Sequence, residues 1–493
     1  QLFLRACYLL LVFLIPVVTS GLAYLSSWFR DKFWYGALTR SIALSGTAFI
    51  KWGQWSSTRP DMFPEELCRR LSVLHKGAPE HKYQYTKELV ERAYDGQSIS
   101  EVFDWFDEKP LASGSIAQVH KAVLNGDMVA VKVRHPHVKQ RIFMDFKIMD
   151  KIARYADATP SLKWMNLGPS MEQFSHTMAA QTDLLREGAN LDNFNWNFRG
   201  WADCCFPVVL HRTEDVLVET FEDGRVVSDY AKLFDAKLNG NPGVWEWVQL
   251  KMLGRVPQKV DASLADSHRL NKADPLLGHF IVTRGEDMWL KMVLNDGLLH
   301  ADLHPGNILI RAPQNEPPKL VLVDAGMVAK LYGKQRRHFI RLLECLGSGD
   351  GLGAARAVLN FSAKQSCVGE KETQAFCDDM EKVFKERCRG YHTDVDVGDV
   401  LRGVLTCVRR HSVKVDVEYA TLILNILCLD SIGKALLPSY NILDGAQPLL
   451  ELHKVGSRVV GHTAATLMLP VARAMKARYD RRFLRRLKNE IRE

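Results

Sequence analysis

Apolar and polar positions change period several times along the 493 residues, and each change predicts a different element. From Ala6 to Phe29 no residue is charged, and Leu9 to Ile15 is wholly apolar. That stretch exceeds the ~20 residues a helix needs to cross a hydrocarbon core, so one transmembrane helix is expected over 6–29. Pro16 would kink the helix without forbidding it. A secretory signal peptide is the rival reading, although its apolar core is usually shorter. Arg30, Lys32 and Arg40 follow the stretch and Arg5 alone precedes it, which by the positive-inside rule keeps the downstream domain on the side of insertion.

Beyond it the period turns helical. Ile42, Ala43, Phe49 and Ile50 predict a helix over Thr39 to Ser57, and Arg59-Pro60-Asp61 and Pro64 separate it from a second helix, Glu65 to Leu74. Arg134 to Tyr155 and Pro169 to Phe194 are also predicted helices. Val129 to Val133 and Val216 to Phe221 read as strands, the latter ending at the turn Glu222-Asp223-Gly224, as expected for a hinge between lobes. Residues 240–277, rich in Asn, Pro, Gly and charge, read as an insertion. Arg311 to Lys319 reads as a short linker, and Gln335 to Lys454 as mainly helical.

The polar positions carry chemistry. His300-Ala301-Asp302-Leu303-His304-Pro305-Gly306-Asn307, followed by Asp324-Ala325-Gly326, places three oxygen donors at the spacing of a kinase catalytic loop and its D-F-G segment. Asp302 takes the place of the base, and Asn307 and Asp324 take the places of the metal ligands. Hard cations such as Mg²⁺ need such oxygens and are shared with substrate phosphates. His300 and His304 could suggest zinc, but no further Cys or His cluster lies near them in sequence, which favours a structural role. Upstream, Val129-Ala130-Val131-Lys132-Val133 matches the V-A-I-K strand whose lysine binds phosphates. The small-residue loop Ala112-Ser113-Gly114-Ser115 precedes it. Alone this loop would be an ordinary β-turn; its place before Lys132 makes it a phosphate cover. Glu187 is the expected partner of Lys132, as the αC glutamate is in kinases.

Composition then narrows the class. An apolar content of 47% supports a large core and excludes a disordered chain. Ten scattered cysteines without a C-x-x-C pair argue against a zinc ribbon or disulfide scaffold and for buried thiols in a reducing compartment. Between Arg473 and Glu493, nine Lys or Arg face three Asp or Glu, out of a net charge of +8 for the chain. Phe483, Leu484, Leu487 and Ile491 could line a stripe there, suiting an anionic membrane or a solvated helix equally. No recognition motif supports nucleic acid binding.

Together these residues resemble the AarF-domain, or UbiB-type, family of atypical kinase-like proteins, from about Gly46 to about Leu449. Four segments carry the resemblance: Phe49 to Asp61, similar to the family's K-x-G-Q segment; Ala112 to His120; Asp183 to Asn190; and His300 to Asn307 with Asp324. Ser113-Gly114-Ser115, Gln181 and Asp324-Ala325-Gly326 make it most similar to the mitochondrial AarF domain-containing kinase 2 group. Three positions depart from the family pattern. Gln181 replaces the first acidic residue of E-x-D, Ser113 and Gly114 interrupt the alanine-rich loop, and Leu74-His75-Lys76 replaces an apolar-Gln-Asp segment.

The resemblance implies an α+β, two-lobed kinase-like fold. It divides the chain into a transmembrane helix (6–29), a helical K-x-G-Q extension (39–80), an N-lobe (81–224), a helical C-lobe (225–454) and a basic C-terminal helix (455–493). It implies ATP or ADP with Mg²⁺, held by Ala112, Ser113, Gly114, Ser115, Lys132 and Glu219, with Lys51 and Gln54 turned toward the nucleotide from the extension. Asp302, Lys132 and Glu187 would be catalytic, and Asn307 and Asp324 would bind metal. The implied activity is a membrane-anchored kinase or ATPase supporting lipid or ubiquinone metabolism. Its implied partners are a lipid or quinone-like small molecule and a biosynthetic complex. It would sit in a mitochondrial membrane facing the matrix, or in a plastid membrane. A conventional protein serine/threonine kinase and a nucleotide-binding pseudokinase scaffold are the competing readings.

Overall fold

The computed structural model of the chain describes residues 2–57, 63–71, 74, 80–159, 167–227, 229, 275–303, 305–312, 316–363, 365, 367, 369–393, 395–437, 440–459 and 462–492. The expected insertion lies outside these residues as far as 274, as do Thr58 to Asp61, His75, Lys76, His304 and Pro313. Among the described residues, buried apolar side chains gather into three clusters, two of which span neighbouring structural layers.

The first layer is helical. α1 (Leu2–Val18), α2 (Ser20–Leu25), α3 (Ser27–Phe29), α4 (Tyr35–Leu44), α5 (Thr47–Ser57) and α6 (Glu65–Leu71) open the chain. The single helix expected over 6–29 begins earlier, is interrupted at Thr19 and stops at Leu25. There Ser26 turns extended (φ −126°, ψ 109°), and its hydroxyl accepts the Phe29 N–H to start a new turn. Phe3 to Leu25 is long and apolar enough to cross a membrane, with a mean hydropathy of 2.2. Leu9 nevertheless joins the helical core, while Phe3, Leu10 and Leu11 are exposed. Arg5, just before the apolar stretch, pairs with buried Asp145 at 2.7 Å. Farther along α1, Ser41 Oγ donates to the Val12 carbonyl (2.7 Å) and Trp34 Nε1 to that of Pro16 (2.8 Å), so α1 is fastened to α4 and to the residue just before it. The helix expected over 39–57 divides at Gly46, whose φ of +91° a helix cannot accommodate.

The second layer is the N-lobe: α7 (Tyr83–Ala93), α8 (Ile99–Val102), β1 (Trp105–Phe106), β2 (Ala112–Ser113), β3 (Ala117–Leu124), β4 (Asp127–Arg134), α9 (Val138–Asp157), α10 (Leu167–Gln181), α11 (Leu184–Phe198), β5 (Cys204–Cys205), β6 (Val209–Arg212), β7 (Val216–Thr220) and β8 (Arg225–Val226). The sheet runs β1-β3-β4-β7-β6, with β2 hydrogen-bonded to β3. Arg134, expected to begin a helix, is the last residue of β4, because Pro136 disfavours helix before it. The helix expected over 169–194 is likewise two helices. Asp183 takes an extended backbone and its carboxylate caps α11 through the Leu185 N–H.

The third layer is the C-lobe, mainly helical: α12 (Pro275–Lys291), β9 (Leu298–His300), β10 (Ile308–Arg311), β11 (Lys319–Leu322), β12 (Val328–Lys330), α13 (Gly333–Ser348), α14 (Gly351–Leu359), α15 (Glu370–Arg387), α16 (Val397–Arg410), α17 (Val417–Leu436), α18 (Ile442–Val459) and α19 (His462–Arg492). Two short sheets, β5-β11-β10-β8 and β12-β9, hold the loops that face the N-lobe. α17 is also apolar enough for a span, but it is the buried centre of this lobe. The C-terminal stripe faces protein instead of a bilayer: Leu487 is buried and Phe483 packs on the C-lobe core. Lys476 fixes the helix there, buried among Glu286 (3.1 Å), Asp287 (3.1 Å) and Asp480 (3.4 Å). All ten cysteines are free thiols.

Candidate active site

Alternation along β4 buries Val131 and Val133 in the N-lobe core and turns Lys132 to the opposite face, toward the cleft between the lobes. α11 packs beneath the sheet and delivers Glu187 from its first turn. The Lys132 ammonium lies 2.5 Å from Glu187 and 3.6 Å from Asp324, and both side chains of the first pair are nearly buried. Asp183, at the start of the same helix, is used as a cap and bonds Arg186 instead. Gly188, next to Glu187, has no room for a Cβ, which would meet Arg212 Cδ at 2.7 Å.

Burial opposes the charge on Lys132, but the Asp324 and Glu187 carboxylates beside it raise its affinity for the proton. The Lys132 ammonium holds half-exposed Asp324 far below the usual carboxylate range, against the cost of its partial desolvation in the cleft, with Lys51 and His300 adding to the effect. Lys51 therefore reaches the cleft from α5. Gln54, on the same helix, spends its amide N–H on the Leu74 carbonyl at 2.9 Å and so braces the extension as well as lining the cleft. Between them, Gly53 permits close packing: a Cβ there would lie 2.5 Å from Leu74. Glu219, on β7, is buried, and burial pushes it up to about 8, so it sits beside the ammonium largely as a neutral acid near pH 7.

Across the cleft, the loop after β9 presents Asp302. Asn307 donates Nδ2 to the Asp302 carbonyl (3.1 Å) and carboxylate (3.2 Å), leaving its own amide oxygen as an acceptor or ligand. His300 is fully buried; its Nδ1 accepts the Asp302 N–H and its Nε2 donates to the Val323 carbonyl, so it ties the two loops together. Asp324 adopts φ +61°, a left-handed conformation in which Asp is among the tolerated residues. Asn190 of α11 donates to the Ala325 carbonyl at 2.9 Å and supports that turn from behind.

The oxygens of Asn307 and Asp324 fit Mg²⁺ by chemistry. Among the described residues no group of three or more His, Cys, Asp or Glu is placed to hold a metal ion. A cleft of about 2920 Å³ joins Lys132, Asp302, Asp324 and the 112–115 loop to Lys51 and Gln54.

Two supports escaped sequence reasoning. Asn425 of α17 donates to the His300 carbonyl at 2.8 Å, and Cys428, one turn later, lines the cleft with its thiol pushed up to about 11 by burial and the nearby Asp302 charge. Both lie more than a hundred residues beyond the loop they face, in a run whose apolar pattern hides them. Gln181, which replaces the first acidic residue of the family's E-x-D pattern, is buried with no hydrogen-bond partner for its Oε1 among the described residues.

Comparison with known sequences decides the family. Residues 73–357 match the ABC1 atypical kinase-like domain. The chain belongs to this family. Its relatives include a probable serine/threonine-protein kinase of Dictyostelium discoideum, 30% identical over 85% of this chain and 65% of that protein. A mitochondrial ABC1 family protein of Saccharomyces cerevisiae is 27% identical over 85% of this chain and 67% of its own length. A probable protein kinase UbiB of Pseudomonas fluorescens is 28% identical, covering 82% and 69%. The chain thus spans about two thirds of the length of these relatives. Among solved structures it is similar to the Rv3197–erythromycin complex of Mycobacterium tuberculosis, with a TM-score of 0.46 and 17% identity over 84% of this chain and 92% of that one. The ABC1 domain carries an α+β kinase-like fold here, with the K-x-G-Q helix laid against it.

Proposed function

We propose that this ABC1-family chain binds a Mg-nucleotide, ATP or ADP, and transfers or releases its terminal phosphoryl group at a membrane. The observation that carries the reading is Lys132 held between Glu187 and Asp324, facing an Asp302–Asn307 loop across one cleft. Lys132 would neutralise the phosphates from the N-lobe, and Asn307 and Asp324 would hold Mg²⁺. When bound, the cation would supply charge neutralisation for the leaving phosphate. Asp302, braced by Asn307 and His300, would orient the attacking group, water or another acceptor. Catalysis then consists of positioning and electrostatics.

A small or lipid acceptor, quinone-like compounds included, is favoured over an extended peptide because α5 places Lys51 and Gln54 in the cleft. The apolar α1–α2 run is the proposed attachment to a mitochondrial membrane, consistent with the mitochondrial relative. A role in ubiquinone metabolism follows the UbiB likeness and is proposed with it. The test is phosphate release by the purified protein from Mg-ATP, with and without vesicles containing quinone-like compounds. Release above background, abolished by Asp302→Asn, is expected. Robust phosphorylation of added proteins would instead favour the conventional kinase reading.

A further inference from the structure

The loop that would cover the phosphates is tied from behind by a chain of histidines that the family reading leaves unused. His135, just after β4, approaches the loop three times: its backbone N–H donates to the Ile116 carbonyl (2.8 Å), and its Nε2 lies 2.9 Å from the Gly114 carbonyl and, more distantly, 3.5 Å from Ser113 Oγ. Its Nδ1 lies 2.7 Å from Nδ1 of His81, whose Nε2 is 3.0 Å from Thr86 Oγ1. Thr86 and Gln118 are both fully buried, and Gln118 Nε2 reaches Thr86 Oγ1 (3.2 Å) and His120 Nε2 (3.0 Å). His120 Nδ1 ends the chain on the Asp107 carbonyl at 2.8 Å.

Donor and acceptor roles follow from the two ends. A carbonyl only accepts, so His120 carries its proton on Nδ1 and His135 carries its proton on Nε2. Neutral His120 then accepts from Gln118 at Nε2, and neutral His135 accepts at Nδ1. The His81 proton must therefore lie on Nδ1, pointing at His135, which leaves Nε2 to accept the Thr86 hydroxyl. Thr86 Oγ1 also lies 3.3 Å from His120 Nε2, which already accepts from Gln118, so the one hydroxyl proton goes to the nearer His81 and the bonds from Gln118 to Gly114 run in one direction. Burial lowers the proton affinity of all three histidines, in keeping with neutral rings.

The last bond has a geometric consequence. All peptide bonds among the described residues are trans, and in a trans peptide the C=O and the following N–H point in opposite directions. Holding the Gly114 carbonyl toward His135 aims the Ser115 N–H out of the other face of the loop. The Ser115 and Ile116 N–H groups have no protein acceptor among the described residues, and both residues line the cleft. Unbonded N–H groups in consecutive turn residues are what an anionic phosphate oxygen recognises.

We propose that His135, oriented by His81, is a positioning residue that sets the Ser115 N–H of the 112–117 loop for the terminal phosphate of a bound nucleoside di- or triphosphate. This rests on the nucleotide-binding reading above and adds to it the part of the nucleotide the loop reads. The experiment measures the affinity of the full chain for Mg-ADP and for adenosine, in the wild type, His135→Ala and His135→Gln, whose amide N–H reaches about as far as Nε2–H. His135→Ala should weaken Mg-ADP about tenfold, the loss of one well-placed hydrogen bond, and leave adenosine unchanged. His135→Gln should recover most of that loss. Equal weakening of both ligands, or no change in Mg-ADP, overturns the proposal. Ring ¹⁵N spectra of the wild type test the chain without any ligand. Protons on His135 Nε2 and His81 Nδ1 are expected, and the opposite tautomers overturn it. A wild type that binds neither ligand defeats the nucleotide reading itself, even with the expected tautomers, and the phosphate role falls with it.

Discussion

Replacing Glu187 by Gln tests the balance of charge around Lys132 most directly, because it removes a charge and keeps the shape. In the wild type the ammonium sits 2.5 Å from Glu187 and 3.6 Å from Asp324, so its first allegiance is to α11 and Asp324 remains half-exposed to the cleft. In the Glu187→Gln variant the ammonium has one strong partner left and should close on Asp324. Moving from 3.6 Å to ~2.8 Å at an effective dielectric of ~20 strengthens that attraction by about 1.3 kcal/mol. Mg²⁺ must displace the lysine to reach Asp324, so its apparent affinity in the nucleotide complex should fall about tenfold. The assay is a Mg²⁺ titration of fluorescent ADP binding at fixed protein. A nucleotide complex with the same Mg²⁺ midpoint in the variant as in the wild type would refute the reasoning.

Three further outcomes follow from the same geometry. Asp324→Asn keeps a residue that tolerates φ +61° and removes the charge, so it should fold normally and lose the thermal stabilisation by Mg-ADP; an unchanged melting shift would contradict the metal assignment. Glu219 is raised from 4.5 to about 8 in the fold, so the folded state holds a proton that the unfolded state has released. Its contribution is present below pH 4.5 and is lost as pH rises through about 8. Glu219→Gln should flatten that part of the melting temperature against pH, and an unaltered slope would be evidence against a buried neutral acid. Lys476→Met strands Glu286, Asp287 and Asp480 together without their cation. It should cost about 3–5 kcal/mol in denaturant unfolding, and a loss under about 1 kcal/mol would show that α19 is not held by this cluster.

The catalytic elements were legible because phosphoryl-transfer chemistry fixes residue types at short spacings: Asp302 and Asn307 are five apart, and Lys132 sits in an alternating strand. Glu187 could be paired with Lys132 only by analogy with the αC glutamate of kinases. The breaks were not legible. Hydrophobic period carries across Gly46, Ser26 and Thr182 unchanged, while the backbone turns there for local reasons: a positive φ, a hydroxyl cap, a carboxylate cap. The C-terminal stripe shows the limit of amphipathic pattern, which states that a face is buried but not against what. Phe483 and Leu487 satisfy a membrane helix and a docked helix equally, and Lys476 among three carboxylates decides for docking.

The same ambiguity bears on the N-terminal helix, and here the polar contacts change its meaning. A span tethered only by its end could stand at any angle to the domain. α1 is bound near its start through Arg5 to Asp145 of α9 and near its end through Pro16 to Trp34, and α4 lies against it between those points. α9 also packs against α5, which carries Lys51. Any tilt imposed on α1 by a bilayer would therefore be felt at the helix that lines the cleft, through side chains that are packed and paired rather than through a loose linker. Asp145 is the junction. It is almost fully buried, so breaking its pair with Arg5→Met leaves an uncompensated carboxylate, whose protonation burial already favours. That variant should loosen α1, seen as faster hydrogen exchange in α1 and α4. If α1 and the cleft are mechanically joined, exchange in α5 around Lys51 should rise as well; an effect confined to α1 would show that the anchor and the site are independent.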